Sequence, residues 1–229
     1  MSDHQHFGRR LTAEAVGSCF LIIAVVGSGI MATRLSPTDT GLQLLENAAA
    51  TAGALIALIL TFAHTSGAHF NPAVTLVERI RGRYTTAEAL AYAAAQTLGA
   101  CIGTVLANTM FELDPINLST TRRGSVALWL SEVIATIALL LVIHGCVHSG
   151  RSSAVPFAVG AWIGGAYWFT SSTSFANPAV TIARTLSDSF AGIAPASAPM
   201  FIAMQIVGAL VAAALIQFLF PSPSTEETS

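Results

Sequence analysis

The sequence predicts an all-α membrane protein, with six spanning helices and two shorter re-entrant half-helices arranged as an inverted repeat. Three observations carry that prediction. Of the 229 residues, 53% are hydrophobic and only 10% charged, whereas a soluble domain carries about 25% charged residues. Six apolar runs lie near residues 11–32, 45–65, 87–110, 126–148, 154–171 and 200–220, and about 20 apolar residues suffice to cross a bilayer as a helix. The five residues Asn-Pro-Ala-Val-Thr occur twice, at 71–75 and 177–181, each time after an apolar run.

In chain order, residues 1–10 form a polar tail without a small-residue cleavage site, so the first run is expected to stay as a span and not to be removed as a signal peptide. The membrane domain is expected over 11–220, with repeats at 11–110 and 126–220. The fifth run is short and Gly-rich, so its ends are the least well defined. Residues 221–229 are polar and acidic and are expected to be a disordered tail. An even number of spans puts both termini on one side. Arginines near span ends number six on one side (Arg9, Arg10, Arg79, Arg81, Arg83, Arg151) and four on the other (Arg34, Arg122, Arg123, Arg184). The positive-inside rule then places both termini in the cytoplasm of a multi-pass protein of the plasma or inner membrane.

The halves match beyond the five-residue copies. Ala13-Glu14-Ala15-Val16 opens the first span, and Ser131-Glu132-Val133-Ile134 sits early in the fourth. Gln96-Thr97-Leu98-Gly99-Ala100 is answered by Gln205-Ile206-Val207-Gly208-Ala209. Three spans per half is an odd number, so the halves must insert in opposite directions, with the functional site at the midplane. Gly99, Ala100, Gly103, Gly208 and Ala209 are small enough to let helices approach closely.

The half-helices, 71–82 and 177–187, are too short to cross. Asn suits the cap and Pro the first turn of each. Non-helical backbone at membrane depth is tolerated only inside protein or beside a wet cavity. In an inverted repeat their N-termini meet, each bringing roughly half a positive charge. With the amides of Asn71 and Asn177 there, the midplane favours a file of neutral, hydrogen-bonding molecules and opposes cations.

The remaining chemistry is sparse. A net charge of -2 points to no nucleic acid and no acidic partner. Cys19, Cys101 and Cys146 lie in apolar runs without a C-x-x-C pair and read as buried packing thiols. No Ser–His or metal constellation has convincing spacing, so neither an enzyme nor a cofactor or metal is expected. His144 and His148 are spaced i, i+4 at a span end, which reads as an interfacial helix end; a pH or metal gate is the rival reading.

Ser66–Val74 (Ser-Gly-Ala-His-Phe-Asn-Pro-Ala-Val), the second Asn177-Pro178-Ala179 and the early-span Glu14 and Glu132 resemble the aquaporin/aquaglyceroporin family over about residues 11–220, and most nearly its microbial members permeable to glycerol and metalloids. The resemblance implies an aquaporin-like fold, a passive pore within each subunit, assembly as a homotetramer in lipid, and no enzymatic activity. It implies that Asn71, Pro72, Ala73, Asn177, Pro178 and Ala179 form the pore motifs. It also implies that Glu14, Glu132 and His69 brace the re-entrant loops. A second reading makes Glu14 and Glu132 proton-relay groups of an ion- or proton-coupled secondary transporter.

The family usually narrows one mouth with four side chains, including an Arg directly after the second Asn-Pro-Ala. Here that position is Val180, and ungapped counting puts the other three at Thr51, Gly165 and Ser174. All four are small, which implies a wide filter without a cation, passing water, glycerol-like polyols, urea and metalloid hydroxides such as arsenite. Arg184, one helical turn past Val180, has two readings, a swing toward the pore or a hold on a loop, and the loop role is favoured. Phe169 and Phe175 are candidates to lean inward.

Overall fold

The computed structural model describes residues 3–221; of the disordered tail expected at 221–229, residues 222–229 lie outside them. Eight helices follow in order: α1 Asp3–Leu35, α2 Thr40–Ser66, α3 Pro72–Ile80, α4 Thr86–Met110, α5 Val126–His148, α6 Val155–Phe169, α7 Pro178–Ala183 and α8 Ala198–Leu219. Five of them (α1, α2, α4, α5, α8) are long and apolar enough to cross a membrane. The sixth, α6, has only 15 residues, about 22 Å at 1.5 Å per residue, matching the short, Gly-rich fifth run. α1 reaches back to Asp3, so the polar stretch before residue 11 continues the first helix from that point.

Local chemistry sets the boundaries. Asp39 caps α2, its carboxylate accepting from the Leu42 N–H at 2.9 Å, which starts that helix five residues before its apolar run. Thr85 and Glu88 form a capping box at the start of α4. Asn71 and Asn177 cap the half-helices α3 and α7, each followed by Pro in the first turn. A loop over 111–125 closes on the segment after α7, with Asn117 and Ser119 donating to the Leu186 and Thr185 carbonyls.

The two halves pack alike: α1 runs against α4, and α5 against α8. A Cβ at Gly99 would run into the Ala15 carbonyl of α1, and one at Gly208 would meet the Val133 carbonyl of α5 at 2.8 Å. Without side chains there, the backbones come together as small-residue packing in membranes requires. Leucine, isoleucine and phenylalanine side chains stay exposed on the outer faces, among them Leu98, Ile102 and Leu106 on α4, as a lipid-facing surface allows. Cys19, Cys101 and Cys146 are unpaired and half-buried, less enclosed than the buried packing thiols expected from the sequence.

Candidate functional site

α3 and α7 meet at their N-termini, and each Asn secures the opposite loop. Asn71 Oδ1 accepts from its own Ala73 N–H at 2.8 Å while Nδ2 donates to the Ala176 carbonyl at 2.8 Å. Asn177 Oδ1 accepts from Ala179 at 3.0 Å while Nδ2 donates to the Phe70 carbonyl at 2.8 Å. An amide nitrogen has two hydrogens. One is spent across the loop in each case, leaving the other for the cavity that both residues line.

The loops leading into these caps hold non-glycine residues in the left-handed region, at matched positions: Ala68 (φ 50°) and Phe70 (φ 48°) in the first, Ser174 (φ 51°) and Ala176 (φ 46°) in the second. Such backbone costs on the order of 1–3 kcal/mol per residue and persists only when its surroundings hold it. Fully buried Glu14 and Glu132 do so. Glu14 accepts from Ser66 Oγ at 2.6 Å, from the His69 and Phe70 N–H groups at 3.0 and 2.8 Å, and from Gln96 Nε2 at 2.7 Å. Glu132 accepts from the Phe175 and Ala176 N–H groups at 3.0 and 2.9 Å and from Gln205 Nε2 at 2.6 Å. The same glutamines donate to Thr75 and Thr181, which close back on the carbonyls of Asn71 and Asn177. Neither carboxylate lines the cavity; the hydrogen bonds of both are directed at the loops and glutamines. His69 joins the brace through its main chain and through Nδ1, 3.0 Å from Thr75 Oγ1.

A cavity of about 530 Å³ passes between the two Asn side chains and reaches both ends of the bundle. Its wall is largely apolar, with Leu21, Val25, Leu55, Ile59, Leu139 and Val159 among its lining. At one end lie Glu78 and His144, with Oε1 and Nε2 3.3 Å apart, and Arg83 pairs with Glu78 at 3.0 Å. His148 is not part of this group; its ring stacks on Phe220.

The opposite end differs from the sequence expectation in two respects. Thr51, Ser174 and Val180 line the cavity, but Gly165 does not. The face of α6 turned inward carries Val159, Ile163 and Tyr167, spaced four apart. A residue two positions from Ile163 and Tyr167 points about 200° away, so Gly165 is exposed on the outer face. Tyr167 takes its place, with its hydroxyl 3.2 Å from Thr51 Oγ1. Second, a cation is present. Arg184 lines the cavity, is 1% exposed and donates through Nε to the Ala191 carbonyl. It thus holds the loop, as expected, and reaches the pore as well. Its guanidinium lies 3.4 Å from the centroid of Phe175, and Arg123 sits 5.1 Å from the same ring. Burial lowers the pKa of Arg123 from its ordinary value, opposed by Glu132 and Tyr167. Phe169 stays exposed and meets Trp162 edge to face.

Glu78 and Tyr167 escaped sequence reasoning, and the swing of Arg184 toward the pore is the reading it ranks second. One signal was available: Glu78 and Arg184 each stand seven residues past their Asn, so they are repeat partners of opposite charge, one at each end of the cavity.

A cavity threading two half-helices at the centre of an inverted repeat defines a membrane pore. The sequence matches the major intrinsic protein family over residues 1–173 and 151–229. It is 46% identical to aquaglyceroporin AqpS of Rhizobium meliloti (strain 1021) over 211 residues, covering 92% of this chain and 90% of that one. It is 33% identical to aquaporin NIP1-1 of Zea mays over 164 residues, covering 69% and 56% of the two chains. The fold is also that of the aquaglyceroporin from Plasmodium falciparum, with a TM-score of 0.72 at 22% identity over 92% of this chain and 95% of that one. The chain belongs to the major intrinsic protein family. It is a membrane channel for water and small solutes, and not an enzyme.

Proposed function

We propose that this channel carries glycerol-like polyols, urea and neutral metalloid hydroxides such as arsenite down their gradients, alongside water. The observation that carries the reading is the cavity itself: apolar along much of its wall, yet presenting an amide donor from each of Asn71 and Asn177 at its waist. A polyol satisfies both surfaces at once, its carbons against the leucines and its hydroxyls against the amides, whereas an ion would leave most of its hydration unreplaced. The likeness to a rhizobial protein named as an aquaglyceroporin supports the same class. We assign the narrowing of the Arg184 end to Thr51, Tyr167, Ser174 and Val180, the pore motifs to residues 71–73 and 177–179, and the loop brace to Glu14, Glu132 and His69. The domain spans 11–220, both termini face the cytoplasm of the plasma or inner membrane, and the channel works as a homotetramer in lipid. Stopped-flow swelling of proteoliposomes with water, glycerol, urea and arsenite tests the solute class. Conduction of all four is expected; water flow without glycerol or arsenite would reduce the protein to a water channel.

A further inference from the structure

Position 180, directly after the second Asn-Pro-Ala, carries valine and offers the pore neither charge nor donor. Arg184 stands one turn later on the same face. It is the C-cap of α7 and lines the same cavity as Val180. Three groups fix it there. Nε donates to the Ala191 carbonyl, the guanidinium sits over the Phe175 ring at 3.4 Å from its centroid, and Arg123 lies 5.1 Å from the same ring. Among the described residues its terminal nitrogens have no protein partner, and the residue lines the cavity. Nearby, Ser174 Oγ is also buried without a partner. A buried cation with unspent donors beside an unspent hydroxyl is a binding surface for a hydroxylated molecule.

We propose that Arg184 is the specificity-determining residue of this mouth, supplying in space the cation and the donors that position 180 lacks in sequence. For its solutes the proposal rests on the reading of the channel as a path for neutral hydroxylated molecules; its effect on cations stands apart from that reading. A unit charge roughly 6 Å from the path, at an effective dielectric of about 20, changes the passage of a cation by about a hundredfold.

The test uses the full-length channel in proteoliposomes, with potassium leak and glycerol flux each divided by the water permeability of the same vesicles. Arg184→Gln is expected to raise potassium leak per unit of water flow by at least about tenfold, and adding Val180→Arg to that variant is expected to bring it back. Arg184→Lys keeps the charge but loses the planar fork, so it is expected to leave potassium excluded while changing the glycerol-to-water ratio about fivefold. A water-conducting Arg184→Gln with wild-type potassium leak overturns the proposal. If Arg184→Gln conducts no water, Arg184→Lys decides, and a wild-type glycerol-to-water ratio in it overturns the proposal. Loss of water flow in both single variants also overturns it, by making Arg184 a structural residue. A wild-type channel that refuses glycerol, with Arg184→Gln still leaking potassium, would instead remove the solute reading and leave the charge role standing.

Discussion

Around Asn71 and around Asn177 the chain builds the same object twice. Each loop is bent at matched positive-φ residues, tied by a buried glutamate, and linked through a glutamine to a threonine that closes on the Asn carbonyl. Seven residues beyond each Asn the two halves part in charge. The first half places Glu78 there, matched with Arg83 and His144. The second places Arg184, held on Phe175. The centre, where both halves must meet, has kept its chemistry in duplicate, and the mouths, where each half acts alone, have diverged to opposite charge. On the proposed function, duplication marks the parts that build the path, and divergence marks the parts that choose what enters it.

The largest effects should come from breaking the duplicated part. Glu14→Ala orphans four donors and Glu132→Ala three. At about 1–3 kcal/mol for each buried group left unpaired, both variants should lose most of their stability in thermal unfolding of the solubilised channel. Glu14→Ala should lose the more. An indifferent response at either site would break the equivalence of the halves. Next come Gly99→Val and Gly208→Val, which force side chains into the backbones of α1 and α5. Overpacking costs about 1–3 kcal/mol, and the two denaturation midpoints should fall together. The smallest effect belongs to Glu78→Gln. Its ion-pair partner Arg83 is 48% exposed and remains hydrated when left alone, and glutamine keeps a carbonyl oxygen to accept from it, so about 1 kcal/mol is at stake. Stability and water permeability should stay near wild type; a collapse comparable to that of Glu14→Ala would make Glu78 part of the scaffold.

The scaffold was legible because it rests on repetition and composition. The apolar runs gave the spans, and the doubled Asn-Pro-Ala-Val-Thr, with Glu14, Glu132 and the Gln-x-x-Gly-Ala pair, gave the repeat. The Arg184 mouth was less legible because it depends on how a helix is rotated about its axis. Counting back from Asn177 gives Gly165, whereas the face of α6 turned to the cavity carries Ile163 and Tyr167. The reach of Arg184 depends on Phe175 and on the Ala191 carbonyl, a meeting of side chain and loop that no local pattern encodes.

The central claim is that the centre makes the path and the Arg184 mouth selects. The most direct test is the glycerol-to-water permeability ratio of Val180→Arg against wild type in matched proteoliposomes. A second guanidinium beside Arg184 should narrow that mouth and leave the waist around Asn71 and Asn177 intact. The ratio should fall about tenfold, roughly 1.4 kcal/mol of added barrier, with water flow substantially retained. Glycerol flux unchanged in that variant would place the selecting constriction elsewhere and contradict the account.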